Sequence, residues 1–304
     1  MIEIAALAKT YRSLLGSRTV PALDDVTLAI APGEVVGIAG PNGAGKSTLI
    51  SILLGFLNPT SGQVRIAGQA PRAYVERRGA SYLPELLLLP PRWTAEVALR
   101  RHATLAGLPA DEVGARAARM VEWLGLAEHR RKDVRQLSKG TLQRLGLAQA
   151  LIGDSDLVVL DEPTHGLDPL WTQRFRDIVR ELRRPGRCIL IASHDLDELE
   201  RVADRVAILH QGRLERVVTA GVGAAAEEPA VYRLGATGAE GAVARVFPSA
   251  TPVEGRANEW RVRGRVAELN RGLAELIGAG AVVVSFAPEA SRLESEFRAA
   301  VEGR

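Results

Sequence analysis

A glycine-rich segment at residues 40–48, GPNGAGKST, has the residue types and spacing of a phosphate-binding loop. It fits the pattern G-x-x-x-x-G-K-[ST], with a strand-like run before it and a helix-like run after it. Backbone N–H groups around the glycines can close on phosphate oxygens, Lys46 adds positive charge, and the Ser47 hydroxyl can bind Mg²⁺. A glycine-rich turn that binds nothing is disfavoured, because all parts occur in the required order. The predicted nucleotide-binding residues of the loop are Gly40, Pro41, Asn42, Gly43, Ala44, Gly45, Lys46, Ser47 and Thr48.

Two carboxylates follow an apolar run in LVVLDEP, residues 157–163. Asp161 can hold Mg²⁺ through water, and Glu162 can polarise an attacking water or take its proton. For the pair alone, acids that cap the next helix are an equally good interpretation. Beside a phosphate loop, the pair instead predicts hydrolysis of a nucleoside triphosphate.

The elements that position these groups alternate between strands and helices. VVGIA (35–39), DLVVLDEP (156–163) and RCILIASHD (187–195) are strand-like, whereas STLISILLGFL (47–57) and residues 95–129 are helix-like. This alternation predicts an α/β fold with a mostly parallel sheet and with functional residues at the carboxyl ends of its strands.

The pattern changes in the last third of the chain. RVAILHQGRLERV (205–217) predicts a closing hairpin, and the small residues of 218–230 predict a linker. Residues 231–304 follow the order β-α-β-β-α-β with a final helix, which predicts a small α+β domain of split-βαβ type. Regulation, dimerisation and ligand binding are all open roles for it, and stabilisation of a dimer is favoured. The predicted domains are therefore 1–217 and 231–304.

The composition is that of an ordinary soluble protein. The chain has 304 residues, 46% hydrophobic and 25% charged, and a formal net charge of +3, so total charge makes no case for nucleic-acid binding. Cys188 is the single cysteine, which excludes an intrachain disulfide. Neither a signal peptide nor an apolar run of the ~18 residues needed to cross a membrane is evident. We therefore expect a cytoplasmic location.

LSKGTLQRLGLAQALI, residues 137–152, resembles the signature of the ATP-binding-cassette (ABC) ATPases. The resemblance extends over about residues 1–217 and implies an ABC-type cassette of the P-loop NTPase class: a mixed-sheet core, an antiparallel β subdomain and a helical subdomain. It also implies that Ser138 and Gly140 form a second phosphate cradle for ATP held by another copy. An ordinary Ser-capped helix start is the alternative, and the order of the motifs disfavours it.

Other positions acquire roles through the same resemblance. Tyr11 lies where the family has an aromatic ring stacked on adenine, although a half-buried strand residue is an alternative. GLDP (166–169) resembles the loop that passes between two ATP sites, and His194 matches the histidine that senses the γ-phosphate. Two positions depart from the family. Thr141 replaces a glutamine whose amide contacts the partner, and Glu85 replaces another glutamine but retains an oxygen for Mg²⁺.

Two features favour the exporter-type branch of the family. Glutamate at the position of Glu85 is common in that branch, and SRLESEFRAAV (291–301) resembles its tail motif. YLPELLLLPPRW (82–93), which contains Glu85, has four consecutive leucines between prolines. The resemblance implies that this segment lies in a groove that receives a short cytoplasmic helix of a membrane protein, with some leucines in the core; direct membrane contact is the least favoured interpretation.

The sequence thus predicts the ATP-hydrolysing motor subunit of an ABC transporter, with ATP and Mg²⁺ as cofactors. Its expected partners are one or more integral-membrane permease subunits and a second copy or related ATPase, without nucleic acid. The expected location is peripheral, at the cytoplasmic face of the inner or plasma membrane. A soluble ABC ATPase acting on nucleic acid or ribosomes is the alternative; residues 49–136 leave no room for its coiled coils or zinc cysteines, and the chain has one cassette. A P-loop kinase or GTPase does not explain LSKG or His194.

Overall fold

The computed structural model describes residues 2–12, 19–220, 229–238, 240–289 and 292–302. The chain divides into two compact units, Met1–Val218 and Thr219–Arg304. Part of the predicted linker (221–228) and Ser291 of the tail motif lie outside the described residues. Within the described ranges, no helix combines the length and the apolar character that a membrane crossing requires.

The first unit contains a set of strands and helices that alternate as predicted. Its strands are β1 (Ile2–Arg12), β2 (Thr19–Ile30), β3 (Val35–Ala39), β4 (Ser61–Ile66), β5 (Ser81–Leu83), β6 (Leu157–Asp161), β7 (Cys188–Ser193), β8 (Arg205–His210) and β9 (Arg213–Thr219). Its helices are α1 (Lys46–Leu53), α2 (Pro71–Arg78), α3 (Ala95–Leu105), α4 (Ala110–Trp123), α5 (Lys139–Ala150), α6 (Pro169–Leu182) and α7 (Leu196–Val202).

A six-stranded sheet carries the candidate site at one edge. Its order is β5-β6-β7-β3-β8-β9, and the strands from β5 to β8 in this order are parallel, which confirms the predicted mostly parallel sheet. Every residue of β3, β6 and β7 is buried, and all of them are apolar except Asp161 and Ser193 at the carboxyl ends of β6 and β7. The phosphate loop, Glu162 and His194 follow three neighbouring strands, so all three lie at the carboxyl edge of this sheet.

A second sheet is antiparallel, in the order β2-β1-β4, and shares one apolar core with α1 and the six-stranded sheet. Leu49, Ile52 and Leu53 of α1 are almost fully buried, and each contributes about 2 kcal/mol to stability. The helix ends at Leu53 rather than at the predicted residue 57. Gly55 adopts a φ of 74°, and the Phe56 N–H turns back to the Ser51 carbonyl.

The predicted helical region 95–129 is divided into two helices. Gly107 takes a φ of 81° between them, and Pro109 immediately precedes α4. The Thr94 hydroxyl caps α3 by accepting a hydrogen bond from the Val97 N–H at 3.2 Å. The predicted hairpin at 205–217 is confirmed as β8 and β9. Its two-residue turn, Gln211-Gly212, has positive φ angles of 48° and 83°.

The second unit contains β10 (Ala230–Thr237), α8 (Glu240–Val246), β11 (Thr251–Pro252), β12 (Glu259–Gly264), α9 (Val266–Gly278), β13 (Val282–Pro288) and α10 (Arg292–Glu302). Its sheet is antiparallel in the order β11-β12-β10-β13, as the split-βαβ pattern predicts. Leu234, Val262 and Leu276 are fully buried in its core. Trp260 and Phe286 pack against this core.

Candidate functional site

The phosphate loop joins β3 to α1, and two of its glycines have distinct roles. Gly43 and Gly45 adopt φ angles of 80° and 107°, a region that favours glycine. A Cβ on Gly45 would lie 2.6 Å from the Ala22 carbonyl oxygen, so this glycine lets the loop approach β2. A Cβ on Gly43 would meet no atom within 4 Å. The backbone at Gly43 therefore faces open space, where a ligand can approach it.

Lys46 places a buried positive charge under the loop. Lys46 is buried, and its Nζ donates hydrogen bonds to the carbonyl oxygens of Gly40 at 2.6 Å and Pro41 at 3.3 Å. An ammonium group has three donors, so one remains for a ligand. Because its hydrogen-bond partners are neutral carbonyls, the ammonium group can also bind a phosphate, which would compensate its charge.

Tyr11 lies at the end of β1, close to the same helix. Its hydroxyl is 3.4 Å from the Thr48 Oγ1, and the Lys9 Nζ is 5.6 Å from its ring centroid. Tyr11 is 44% exposed, so its ring lies at the surface of β1 beside the loop.

Asp161 ends β6 in a strongly negative environment. Burial, followed by the charges of Glu85 and Glu162, raises the pKa of Asp161 from 3.8 to about 6, and the charge of Lys46 opposes the rise. Glu85 is itself exposed and follows β5. The structure thus brings three carboxyl groups and one ammonium group, from separate parts of the sequence, within electrostatic range of each other.

Glu162 is held in one orientation by its neighbours at the end of β7. Its Oε1 accepts the His194 backbone N–H at 3.0 Å. Its Oε2 accepts the Ser193 hydroxyl at 3.1 Å and the His194 Nδ1 at 2.9 Å. An ionised carboxylate only accepts hydrogen bonds, so the imidazole donates from Nδ1 and its Nε2 stays available. Glu162 also has a φ of 49°, an unusual conformation for a side chain other than glycine.

Gln143 and Ser193 contact Glu162, and neither was predicted from the sequence to be a site residue. Gln143 is buried in α5, and its Nε2 donates to the carbonyl oxygens of Glu162 and Pro163, both at 3.0 Å. The Glu162 N–H donates to the Ala192 carbonyl at 2.8 Å. These contacts fix the backbone on both sides of the carboxylate. No feature of α5 in the sequence marks Gln143, because the helix contains a second amide, Gln149, and other polar residues.

The signature segment lies against the GLDP segment of the same chain. Ser138 caps α5 by accepting the Thr141 N–H at 3.2 Å. A Cβ on Gly140 would lie 2.8 Å from the Gly166 carbonyl oxygen, and the Lys139 Nζ is 2.7 Å from the His165 Nε2. In the described part of the chain, no hydrogen bond or ion pair joins Ser138 or Gly140 to residues 40–48.

Thr141, one of the departures from the family pattern, is directed into its own unit. It is 5% exposed, and its Oγ1 is 2.9 Å from the Ser138 Oγ and accepts the Arg144 Nη2 at 3.2 Å. Arg144 also donates to the Gly125 carbonyl at 2.8 Å, and its guanidinium carbon lies 4.2 Å from the Trp171 ring centroid. Thr141 therefore belongs to a network that joins α5 to its surroundings.

The leucine segment after Glu85 is divided between the core and the surface. Leu86 is 71% exposed and Leu88 is 80% exposed. Leu87 is half-buried and packs at α5, where a Cβ on Gly146 would lie 3.0 Å from the Leu87 Cδ2. The segment is thus divided, with Leu87 packed against α5 beside Gly146 and with Leu86 and Leu88 at the surface.

The residues at this edge fit a hydrated magnesium ion. The Ser47 hydroxyl and the carboxylates of Glu85 and Asp161 are hard oxygen donors. Burial first, and then the charges of Glu85 and Glu162, raise the pKa of Asp161, and a bound cation would compensate this cost of its negative charge. Among the described residues, no three His, Cys, Asp or Glu side chains converge to hold a metal ion by themselves. Mg²⁺ bound beside nucleotide phosphates takes one or two protein carboxylates and keeps water ligands, so such a cage is not required.

Comparisons with known proteins agree with this geometry. The family model for the ABC transporter matches residues 23–165. Over 217 residues, the chain is 40% identical to an uncharacterized ABC transporter ATP-binding protein of Nostoc sp., which covers 70% of this chain and 65% of that protein. It is 39% identical to the methionine import ATP-binding protein MetN of Caulobacter vibrioides, covering 70% and 65%. It is 35% identical to the Nod factor export ATP-binding protein I of Paraburkholderia xenovorans, covering 70% and 68%.

The chain spans less than two thirds of the length of the Nostoc protein and of MetN, 65% in each case. A solved structure of the ATP-binding cassette MJ0796, dimeric and bound to ADP and phosphate, has a TM-score of 0.67 and 25% identity. It covers 73% of this chain and 100% of the solved chain. The fold, the arrangement of the motifs and these relatives confirm the predicted cassette, and the chain belongs to the ABC transporter family of ATP-binding proteins.

Proposed function

We propose that this chain is the ATP-hydrolysing motor subunit of an ABC transporter, and that it drives a separate membrane permease through closure and reopening of paired cassettes. The observation that carries the proposal is the fixed Glu162 carboxylate, which follows β6 at the same sheet edge as the buried Lys46. Hydrolysis of a phosphoanhydride requires a base that positions the water and a positive charge that binds the phosphates, and Glu162 and Lys46 can supply these two functions.

Nucleotide binding is assigned to the loop and its neighbours. The loop N–H groups and Lys46 bind the β and γ phosphates, and Tyr11 stacks on the adenine. Ser47, Asp161 and Glu85 hold Mg²⁺, which neutralises phosphate charge when it is bound. The open approach at Gly43 and the unused donor of Lys46 support this assignment.

Glu162 is the general base for the attacking water. Its Oε2 accepts two hydrogen bonds, whereas its Oε1 accepts one, from the His194 N–H. A carboxylate oxygen has about two acceptor positions, so Oε1 keeps one for the water. From there, Glu162 can orient the water and take its proton. The free Nε2 of His194 supplies a second polar contact near the γ-phosphate.

The signature acts on the nucleotide of a second copy. The exposed Ser138 hydroxyl and the amino end of α5 form an anion-binding surface without a hydrogen bond to the phosphate loop of the same chain, among the residues described. The related cassette MJ0796 is dimeric. Each ATP is then held by two chains, so binding favours the closed pair and loss of phosphate favours opening.

The contact with the permease is assigned to exposed apolar residues beside the site. Leu86 and Leu88 lie shortly after Tyr82 in the sequence. The Tyr82 ring centroid is 6.3 Å from that of Phe56, and Phe56 is 71% exposed. Apolar residues at such exposure mark a surface for a partner, here a short cytoplasmic segment of the permease. This contact would hold the chain at the cytoplasmic face of the membrane.

We assign the transporter to the exporter type because of Glu85 and the tail motif, and the Nod factor export relative supports this direction. MetN, an importer by name, matches over a similar length, so the cassette alone is compatible with either direction. The alternative, a soluble ATPase acting on nucleic acid or ribosomes, has no support among these transport relatives.

The direct test is phosphate release by the purified full chain with ATP, with Mg²⁺ and with a chelator. We expect ATP turnover that requires Mg²⁺, together with co-purification of a membrane protein from detergent-solubilised membranes. Absence of turnover both alone and with the co-purified membrane protein would contradict the proposal.

A further inference from the structure

A cavity of about 610 Å³ opens on the first unit, at the amino edge of its six-stranded sheet. Helix α4, the end of α6 and the segments that precede β6 and β7 line it. Among its lining residues, Asp154 precedes β6 and Arg187 precedes β7. Glu162 and His194 of the candidate ATP site follow the same two strands. Because β6 and β7 are parallel, the cavity and the ATP site lie at opposite edges of the sheet.

One wall of the cavity is apolar. Met120 and Leu182 are buried there, and Leu151 and Trp123 extend the same apolar wall. The Trp123 ring is fixed in place, because its Nε1 donates a hydrogen bond to the Glu181 Oε2 at 2.7 Å. Sites for small molecules have volumes of roughly 300–1,000 Å³ and combine apolar walls with a few polar groups. The size and the apolar wall therefore fit the body of a small organic molecule.

Two acidic side chains of the cavity have their charge compensated by arginines. Asp154 accepts hydrogen bonds from the Arg184 Nη1 at 2.9 Å and from the Arg187 Nη2 at 2.5 Å. Glu181 accepts a hydrogen bond from the Arg174 Nη1 at 2.6 Å. These two carboxylates therefore add little free negative charge to the cavity.

Two arginines of α4 have no acidic partner in the part of the chain that the structure describes. The Arg116 Nε and Nη2 donate to the carbonyl oxygens of Ile152 at 2.8 Å and Leu151 at 3.2 Å, which are neutral. Arg119, one helical turn away, is exposed and makes no hydrogen bond or ion pair with a described residue. The remaining acid of the cavity, Glu122, is also exposed. A guanidinium group has five N–H donors, so several stay available on this face of α4.

Positive charge is concentrated around Arg116. Burial lowers the pKa of Arg116, and the like charges of Arg119 and Arg187 lower it further, although the charge of Asp154 opposes them. Arg187 is 4% exposed, and its Nε has no hydrogen-bond partner among the described residues. Buried N–H groups without an acceptor are rare in folded proteins. The cavity is therefore rich in donors, and an anion would supply both acceptors and compensating charge.

We propose that this cavity binds a small organic acid. Its anionic group contacts Arg116 and Arg119, and its body packs against the apolar wall. A planar guanidinium can direct two N–H donors to the oxygens of one anionic group. Arg119 is exposed whereas the adjacent Met120 is buried, so the anionic group lies at the mouth of the cavity and the apolar body lies inside. This binding goes beyond the proposed ATP-driven transport, because it involves neither the nucleotide nor a second copy of the chain.

The test uses the full chain with excess ADP and Mg²⁺, so that nucleotide occupies the phosphate loop. The probe is anilinonaphthalene sulfonate, a fluorescent aromatic anion that binds apolar surface. Phenylnaphthylamine, which lacks the sulfonate, is the matched neutral probe. We expect saturable binding of the anionic probe with a single site in each chain. Arg119→Gln should raise its dissociation constant about tenfold, because a charge-assisted contact is lost, and should leave the neutral probe nearly unaffected.

Two further variants complete the test. Arg131→Gln removes an exposed arginine outside the cavity and should leave the binding of both probes unchanged. Trp123→Ala removes part of the apolar wall and should weaken both probes, with circular dichroism as the check of folding.

Three outcomes would overturn the proposal: no saturable binding of the anionic probe, an equal effect of Arg119→Gln on both probes, or unchanged binding of the anionic probe in Arg119→Gln. Unchanged binding of both probes in Trp123→Ala would overturn it as well. ATP turnover of the unmodified chain is measured separately, and its absence would count against the proposed function and not against this site.

Discussion

The side-chain amide of Gln143 donates a hydrogen bond to the backbone carbonyl of Glu162 at 3.0 Å. This bond ties the helix that follows the signature to the residue assigned as the base. Glu162 has a left-handed backbone conformation, with φ of 49°, that costs about 1 kcal/mol or more. One buried hydrogen bond contributes about 1 kcal/mol, which is similar to this conformational cost. The hydrogen bond from Gln143 can therefore stabilise the left-handed conformation of Glu162.

Gln143→Leu should therefore lower kcat while leaving nucleotide binding nearly intact. We expect kcat to fall by about 10- to 100-fold, because a misplaced base loses much of its contribution, and KM for ATP to change by less than about threefold. Steady-state phosphate release measures both values. Gln63→Leu, at an exposed position of β4, is the control and should be silent. A rise in the KM for ATP with an unchanged kcat would instead assign Gln143 to nucleotide binding.

Glu162→Gln preserves the shape of the side chain but removes its basicity. We expect ATP binding to persist and turnover to fall by at least about 100-fold, the usual contribution of a general base. The uncleaved ATP should hold two copies closed, which size-exclusion chromatography with ATP detects. The exposed Glu128→Gln variant serves as the control. Normal turnover in Glu162→Gln would remove this residue from the base role.

Lys46→Ala removes the buried ammonium group from the loop. We expect nucleotide binding to be lost, because a charge-assisted contact with phosphate in a buried position has no substitute in the loop. Isothermal titration calorimetry with ATP and Mg²⁺ measures the affinity, and the exposed Lys132→Ala variant is the control. An affinity equal to that of the unmodified chain would refute the phosphate-loop assignment.

Leu88→Asp and Leu87→Asp should have different consequences. Leu88 is 80% exposed, so its substitution should spare folding and ATP binding and weaken association with the permease. Leu87 is half-buried and packs at Gly146, so a charge at this position should destabilise the cassette by about 2 kcal/mol. Co-purification and urea unfolding separate the two effects. Normal assembly of Leu88→Asp with the permease would argue against this docking surface.

The pH dependence of stability should report on Asp161 in the absence of Mg²⁺ and nucleotide. Its pKa in the folded chain is about 6, above the ordinary 3.8, so the folded state binds more protons in this window and the carboxyl lowers stability as pH rises. The full shift corresponds to about 3 kcal/mol. Asp161→Asn should thus be more stable than the unmodified chain above pH 6, with little difference at acid pH. Urea unfolding at about pH 4 and about pH 7.5 tests this, and an equal difference at both values would contradict it.

The local motifs were predictable from the sequence because each one works through neighbours in the chain. The phosphate loop requires glycines, a lysine and a helix start within nine consecutive residues, 40–48, and Asp161 and Glu162 require only the end of a buried strand. The parallel sheet followed from apolar runs that alternate with helices. The ends of helices were less predictable. α1 ends at Leu53, before Gly55, and a glycine permits such a turn without requiring it.

The tertiary structure alone decided which distant residues meet. Gln143 lies 19 residues before Glu162, and no pattern along α5 indicates that its amide is directed to that carbonyl. The difference in burial between Leu87 and Leu88 depends on Gly146 of α5, because this glycine has no side chain where Leu87 packs. The hydroxyl of Thr141 accepts a hydrogen bond from Arg144, a contact that the signature pattern did not indicate. The sequence alone determined the chemistry available at the site, because residue type and short spacing encode it; the fold decided which groups hold that chemistry in place, because long-range packing brings them together.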